Sequence, residues 1–285
     1  IGNIRTNGVE IELKTENLTG LITWTTKASV GYSTNKVTDL GENSTIYTGF
    51  DNKTQIIEVG HPVGEYYMYI ADGVYRNEED LARFPKQESS VVGSVRYRDV
   101  NGDGVINEAD RTYCGKPQPS WTFGLNNSFK WNNWDMSFLI TGQCGGKIWS
   151  ALGRAIDMQY QGNALNRLDH YKDMWLNPDH VGNGKIPAAV GTYGSIEEQF
   201  STRWLYSTDF IKLKNITLGY RFNFSKDVMV RSLRITASVE NIFMIDNYYG
   251  GYSPESNNSG SQVRAYDYGA YPSARTFSIG CNISL

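Results

Sequence analysis

The densest chemistry in the chain is the stretch Asp99 to Asp110 (DVNGDGVINEAD). A calcium loop places oxygen ligands at its positions 1, 3, 5, 7, 9 and 12, with glycine at 6 where the chain turns sharply. Here those positions are Asp99, Asn101, Asp103, the backbone carbonyl of Val105, Asn107 and Asp110, with Gly104 in sixth place. The expectation is a Ca2+ ion held by these six residues. No helical pattern precedes the loop, so the ion would clamp a long connection and would not act as an EF-hand sensor. Position 12 is Asp, a shorter arm than the usual Glu. The competing reading is an acidic turn closed by side-chain to backbone hydrogen bonds, without a metal.

A second group is aromatic. Tyr248, Tyr249, Tyr252, Tyr266, Tyr268 and Tyr271 lie among Gly, Asn and Ser. Tyrosines in such company supply flat, amphipathic contact area with adaptable hydrogen bonds, suited to a protein partner, sugar rings or a peptide backbone. Farther upstream Leu165, Leu168, Tyr171 and Trp175 follow helical spacing across Asn163 to Leu176, and Pro178 then stops the pattern. That stripe packs locally, caps a mouth or faces a partner. The first five of the tyrosines and Trp175 are the candidate contacts, with self-packing of the loops as the rival reading. Catalysis finds no motif: His61, His170 and His180 form no HExxH, no serine sits in GxSxG, and no Gly-rich loop leads to Lys and Ser/Thr. The reading is of a protein that is not an enzyme.

The elements that must position these residues are strands. The last eleven residues, Arg275 to Leu285, alternate throughout: Phe277, Ile279, Cys281, Ile283 and Leu285 point one way, and Ser278, Gly280, Asn282 and Ser284 the other. A period of two over about ten residues is the mark of a strand that crosses an outer membrane. Val230 to Asn241 alternates in the same manner, and so does Phe210 to Phe224 from Ile216 onward. Trp121 to Phe129 and Trp134 to Ile140 form another hairpin through WNNW, in which Asn127 and Leu139 break the pattern. Val9 to Leu13 and Ile22 to Tyr32 form a third, through NLTG.

Short turns at Asn17 to Gly20, Trp131 to Asn133 and Ser225 to Val228 alternate with long connections over about 35–120, 145–207 and 243–272. Outer-membrane barrels combine short periplasmic turns with long extracellular loops. Trp121, Phe129, Trp131, Trp134, Tyr220, Phe222 and Phe224 are expected at the short-turn ends as an aromatic girdle. Two further strands, at Glu65 to Asp72 and Val91 to Asp99, would raise the count from seven to nine. Either number is odd, and bacterial barrels close with an even one. The missing strands are therefore expected from an upstream part of the same gene product.

Composition agrees with an all-β chain: 40% hydrophobic residues, 20% charged, 29 Gly and 19 Tyr in 285 residues. No stretch has the ~20 apolar residues of a transmembrane helix. A formal net charge of -3 without a basic run argues against nucleic acid as a partner. Cys114, Cys144 and Cys281 are odd in number and widely spaced, which suits neither a metal cluster nor a disulfide scaffold.

Several segments in order, NIRTNGVEIEL, GEYYMYIADGVY, GSVRYRDVNGDGVINEADRTYCGKPQPSWTFGLNNSF, DFIKLKNITLGYRF and ENIFMIDNYYGGYSPE, resemble the C-terminal part of the SusC/RagA family of TonB-dependent outer-membrane transporters of Bacteroidetes. The resemblance implies a transmembrane antiparallel β-barrel of 22 strands closed by an N-terminal plug, in the outer membrane of a Gram-negative bacterium. This chain would be the last seven to nine strands, without the plug. It further implies active import of glycans or oligopeptides, a SusD-like surface lipoprotein at the mouth, and energy from the TonB complex through the plug. Arg221, Arg234, Glu240 and Asp135 would line the lumen or hold the plug, with outer-membrane lipids around the wall. The alternative function is a passive porin or a surface binding or structural protein.

Overall fold

Seven long strands form one antiparallel sheet in the computed structural model, which describes residues 2–157, 169–188, 199–225, 229–256 and 266–285. They are β1 (Asn3–Thr19), β2 (Ile22–Asp39), β3 (Trp121–Trp131), β4 (Trp134–Cys144), β5 (Phe210–Asn223), β6 (Ser232–Asp246) and β7 (Thr276–Ser284). Each pairs with its neighbour in chain order, so the sheet is a meander open at β1 and at β7.

Register explains why the sheet has two unlike faces. Ile22, Trp131, Trp134, Tyr220, Ile235 and Cys281 are opposite one another in successive strands. Rows of Trp24, Phe129, Met136, Leu218, Ala237 and Ile279, then of Leu13, Ala28, Leu125, Ile140 and Leu213, continue the same face. The face ends in Val9, Tyr32 and Trp121. Most of its large side chains are exposed, from Val9 and Ile11 to Phe277 and Ile279. Burial within the chain does not account for so apolar a surface; a hydrocarbon surround does. From the Ile22 row to the Tyr32 row is ten residue steps, which at ~3.4 Å per residue and a tilt of ~40° is a height of ~26 Å, the apolar band of a barrel wall.

Two irregularities in the sequence pattern now have physical reasons. Asn127 lies on the apolar face, yet it is buried, and its Oδ1 accepts the Trp24 indole N–H at 2.8 Å and the Thr26 hydroxyl at 2.7 Å. Three polar groups thus satisfy each other under the Trp24 and Phe129 rings, which stack at 5.5 Å. In β5 the pairing shifts between Leu213 and Asn215, with Lys214 as the extra residue of a bulge. The bulge reverses which parity faces outward, so Ile211 and Leu213 join the apolar face above it while Ile216 and Leu218 do so below it.

The aromatic girdle needs one correction. Trp131, Trp134, Tyr220 and Phe222 do cluster at the short-turn end, with Trp134 edge-on to Tyr220 at 4.6 Å. Trp121 begins β3 after a long connection, so it lies at the opposite end, 4.7 Å from Tyr32.

The first long connection adds no strand to the wall, which corrects the count of nine. Glu65–Met68 joins a small sheet with Thr45–Thr48, Gln55–Glu58 and Thr112–Tyr113, and Val95–Tyr97 pairs with Ala71–Val74. These strands are short and pair only within the connection itself. Of the expected helix over Asn163 to Leu176, residues 163–168 lie outside the described residues; the described part forms a 3-10 turn, Asp169–Asp173, and is not helical from Met174 to Leu176, which corrects the expectation there.

The long connections share a core. Tyr66 and Met68 from the first connection pack with Trp149, Ala151 and Trp204 from the second, ringed by Phe50, Phe200, Tyr206 and Tyr266. Tyr266 belongs to the third connection, and Tyr266–Asp267 runs parallel to Lys147–Ser150 in a mixed sheet completed by Leu205–Ser207. Three segments far apart in sequence therefore form one packed body beyond the long-connection end of the wall.

Candidate functional site

On the polar face, near the short-turn end, a concavity of about 470 Å³ is lined by Lys130, Asp135, Arg221 and Arg234 with Ser232 and Asn282. Alternation in β3 to β7 brings these side chains to one side of the wall. Arg234 in β6 reaches over β5 to Asp135 in β4, with its Nε 2.9 Å and its Nη2 2.5 Å from the two carboxylate oxygens. Gly219 of β5 lies beneath, and a Cβ there would meet Asp135 Oδ1 at 2.7 Å and the Arg234 guanidinium at 2.8 Å. Glycine is what lets the pair bridge across an intervening strand. One carboxylate serves three cations, so the concavity carries two positive charges in excess among its described residues.

Sequence reasoning found Asp135, Arg221 and Arg234 from their parity. It missed Lys130 on the same face, and it missed Lys212, whose parity the bulge at Lys214 reverses. Lys212 is buried and donates to Glu255 at 2.7 Å, which ties the third connection to the wall.

The tyrosines separate into buried anchors and exposed rings, and of the latter Tyr268 stacks on Phe50 at 6.2 Å. Tyr248 is 6% exposed; its hydroxyl donates to Asp267 Oδ2 at 2.7 Å, and its ring meets Tyr206 edge-on at 5.4 Å. Burial first, and then the Asp267 carboxylate, raise its phenol above the usual range. Burial likewise pushes the Tyr206 phenol up to about 12. Tyr266 is half-buried, edge-on to Phe50 at 5.3 Å. Tyr249, Tyr252 and Tyr268 are 76%, 65% and 60% exposed. Trp175 is half-buried against Gly93, and its indole N–H donates to the Arg76 carbonyl at 2.9 Å. It thereby fastens the second connection to the first.

The Asp99 to Asp110 loop folds as a ladder of side-chain acceptors. Asp99 accepts the N–H groups of Gly102 (2.6 Å) and Gly104 (2.8 Å), Asn101 that of Asp103 (3.0 Å), and Asp103 that of Val105 (2.9 Å). Asn107 accepts the Ala109 N–H at 2.9 Å. Asp110 is buried and accepts from Val100 and Asn107, both at 2.8 Å, closing the base. Gly102 and Gly104 both have positive φ, 78° and 82°, which the sharp turns require. The Gly104 N–H above all holds the Asp99 carboxyl below the usual range, against a smaller opposing effect of desolvation. Among the described residues no three or more His, Cys, Asp or Glu side chains group as a metal site.

No family model matches the chain. Individual proteins do, over its whole length. TonB-dependent receptor P3 of Formosa agariphila is 26% identical across 100% of the chain, and TonB-dependent receptor P39 of the same organism is 27% identical across 100%. TonB-dependent receptor SusC of Bacteroides thetaiotaomicron is 25% identical, again across 100%. Over its whole length the chain is therefore similar to part of SusC-like TonB-dependent receptors. It spans 29%, 31% and 27% of those three receptors.

Solved structures agree on the fold of this segment. The RagAB peptide importer in its open-open state superposes with a TM-score of 0.78 over 100% of the segment and 29% of that chain, at 18% identity. The RagAB peptide transporter gives 0.74 over 98% of the segment and 29% of that chain, also at 18%. The seven-stranded sheet thus has the fold of part of a β-barrel wall and is open at both edges among the described residues. Its apolar face is the outer surface of the barrel and its charged face the lumen.

Proposed function

We propose that this segment is the C-terminal wall of an outer-membrane importer of glycans or oligopeptides. The observation that carries the reading is the pairing of an apolar band ~26 Å tall with a charged inner face in a sheet that cannot close alone. The packed loop body then lies at the cell exterior. Tyr249, Tyr252 and Tyr268 offer it contact area for a SusD-like lipoprotein or for substrate. Lys130 and Arg221, left without a carboxylate of their own, face the lumen near the periplasmic rim and suit acidic groups on a plug from the upstream part of the receptor. Energy would reach that plug through the TonB complex. Uptake of labelled oligosaccharides and oligopeptides by cells carrying the full-length receptor, with and without TonB, tests the proposal. Import that stops without TonB agrees with it. Import that persists, with steady conductance in planar bilayers, would identify a passive porin instead.

We also propose that the Asp99 to Asp110 loop holds Ca2+ as a structural clamp. The spacing of Asp99, Asn101, Asp103, Val105, Asn107 and Asp110 supports this, as do the two positive-φ glycines. Each carboxylate oxygen that accepts one N–H keeps a lone pair for a cation. Asn and backbone oxygens complete the donor set.

A further inference from the structure

Above the apolar band the β1–β2 hairpin continues, and there the outer surface bears two cations face to face. Arg5 and Lys36 are directly opposite in the register, four residues beyond the Val9 and Tyr32 row and on the same face. Both are exposed, and a concavity of about 280 Å³ lies between them, lined also by Asn7, Thr34 and Gly60. Like charges directly opposite in a sheet oppose pairing. The lumen side of the same hairpin shows how the chain neutralises such a pair: Lys14 and Lys27 are also opposite, but Glu12 and Glu16 flank them on that face. Arg5 and Lys36 have Asn7 and Thr34 beside them on that face, and no acidic residue lines the concavity among the described residues. The next acid along the hairpin, Asp39, is engaged by the Asn3 amide (3.3 Å) and the Gly41 N–H (2.9 Å).

Four residue steps at ~3.4 Å along a tilted strand place the pair ~10 Å above the band. Long basic side chains reach back from there to the headgroup layer. We propose that Arg5 and Lys36, with the concavity between them, hold a phosphate of an outer-leaflet lipid against the rim of the receptor. The inference rests on the reading above, in which the long connections lie outside the cell. A lipid bound there would brace the upper part of the longest hairpin.

The test uses full-length receptor extracted from outer membranes in mild detergent, with bound lipid counted by native mass spectrometry. Wild type is expected to retain phosphorylated lipid. Arg5→Gln with Lys36→Gln should weaken retention about 30-fold, the ratio that ~1 kcal/mol for each of two cations amounts to. The charge-preserving pair Arg5→Lys with Lys36→Arg should retain it. Unchanged retention in the neutral variant overturns the proposal, and so does equal retention of an enzymatically dephosphorylated lipid. Displacement by inorganic phosphate at equal concentration would assign the site to free phosphate and overturn the lipid. Heat-modifiable gel mobility confirms that the variants fold. A Glu79→Cys reporter in the first connection must react with an impermeant thiol reagent on intact cells. A reporter that stays unlabelled removes the orientation, and this proposal with it. A labelled reporter with unchanged lipid in the neutral variant removes this proposal alone.

Discussion

Ile216 and Thr217 are neighbours in β5 that face opposite ways, and an arginine at each should have very different costs. Ile216 belongs to the row of Thr26, Asn127, Phe138 and Val239, midway between the Ile22 and Tyr32 rows. At that depth an arginine facing hydrocarbon costs ~2–4 kcal/mol, whereas one near the interface costs ~0–1 kcal/mol. Ile216→Arg should therefore lower the folded-to-unfolded ratio by about 30- to 900-fold at ~1.36 kcal/mol per decade. Thr217 points into the lumen, where its hydroxyl donates to Asn215 at 3.1 Å. Thr217→Arg loses that bond and keeps its charge in water, a change of about 1 kcal/mol or less. Ile211→Arg, on the outer face at the upper rim, should fall between them. The assay is urea titration of the full-length receptor refolded into phospholipid vesicles, with the folded fraction read from heat-modifiable gel mobility. Equal costs at 216 and 217, or a cost at 211 as large as at 216, would refute the lipid-facing assignment.

Other outcomes follow from the same structure. Asn127→Ala should cost ~1–3 kcal/mol, because the Trp24 N–H and the Thr26 hydroxyl proton then lose their acceptor next to lipid, although Thr26 Oγ1 still accepts from the Asn17 amide at 2.7 Å; Trp24→Phe in the same chain should recover part of the loss. Trp149→Ala removes a fully buried ring from the shared loop core and should cost ~3–5 kcal/mol locally. Its readout is faster proteolysis of all the long connections with the barrel band on the gel unchanged. Calcium added to metal-stripped receptor should give binding heat that Asp99→Asn with Asp103→Asn abolishes, and no heat in wild type would remove the calcium proposal. Because the folded Asp99 carboxyl titrates below its ordinary value, its contribution is present above the unfolded pKa and is lost only as pH falls through the lowered one. Binding should therefore hold at mildly acidic pH and fail in strong acid.

What was legible in the sequence was local. A lipid-facing strand shows its period of two because one face meets water and the other hydrocarbon all along its length, so Phe277 to Leu285 or Leu233 to Val239 can be read alone. The loop core could not be read this way, since Tyr66, Trp149 and Trp204 meet only through the tertiary fold. Glu65 to Met68 does form a strand as expected, but it is short and packs within the connection, which its residue types alone do not reveal. Trp121 was assigned to the wrong end because its residue type was weighed without the direction of its strand. Lys212 was hidden by a single extra residue, Lys214, which exchanges the two faces for the rest of β5.

The positions of the anchors bear on how the exposed tyrosines would work. Tyr249 and Tyr252 lie between two fixed points, the buried Tyr248 on Asp267 and Glu255 on the buried Lys212 of the wall. Asp267 is itself fully buried and accepts the N–H groups of Gly269 and Ala270, so the far side of the connection is held as well. A ring carried on backbone pinned this closely loses only its own rotamer freedom when it docks, ~0.5–1.5 kcal/mol per side chain, and none of the cost of ordering a loop. Because Glu255 is paired to β5 and Asp267 to the loop body, a partner that shifts this connection must break a charge pair on a buried lysine or move the body as a unit. The second course keeps the Tyr248–Asp267 hydrogen bond and the backbone bonds to Asp267 intact. Docking at Tyr249 and Tyr252 would on these grounds be felt along the wall through Lys212 and not be absorbed within a flexible loop.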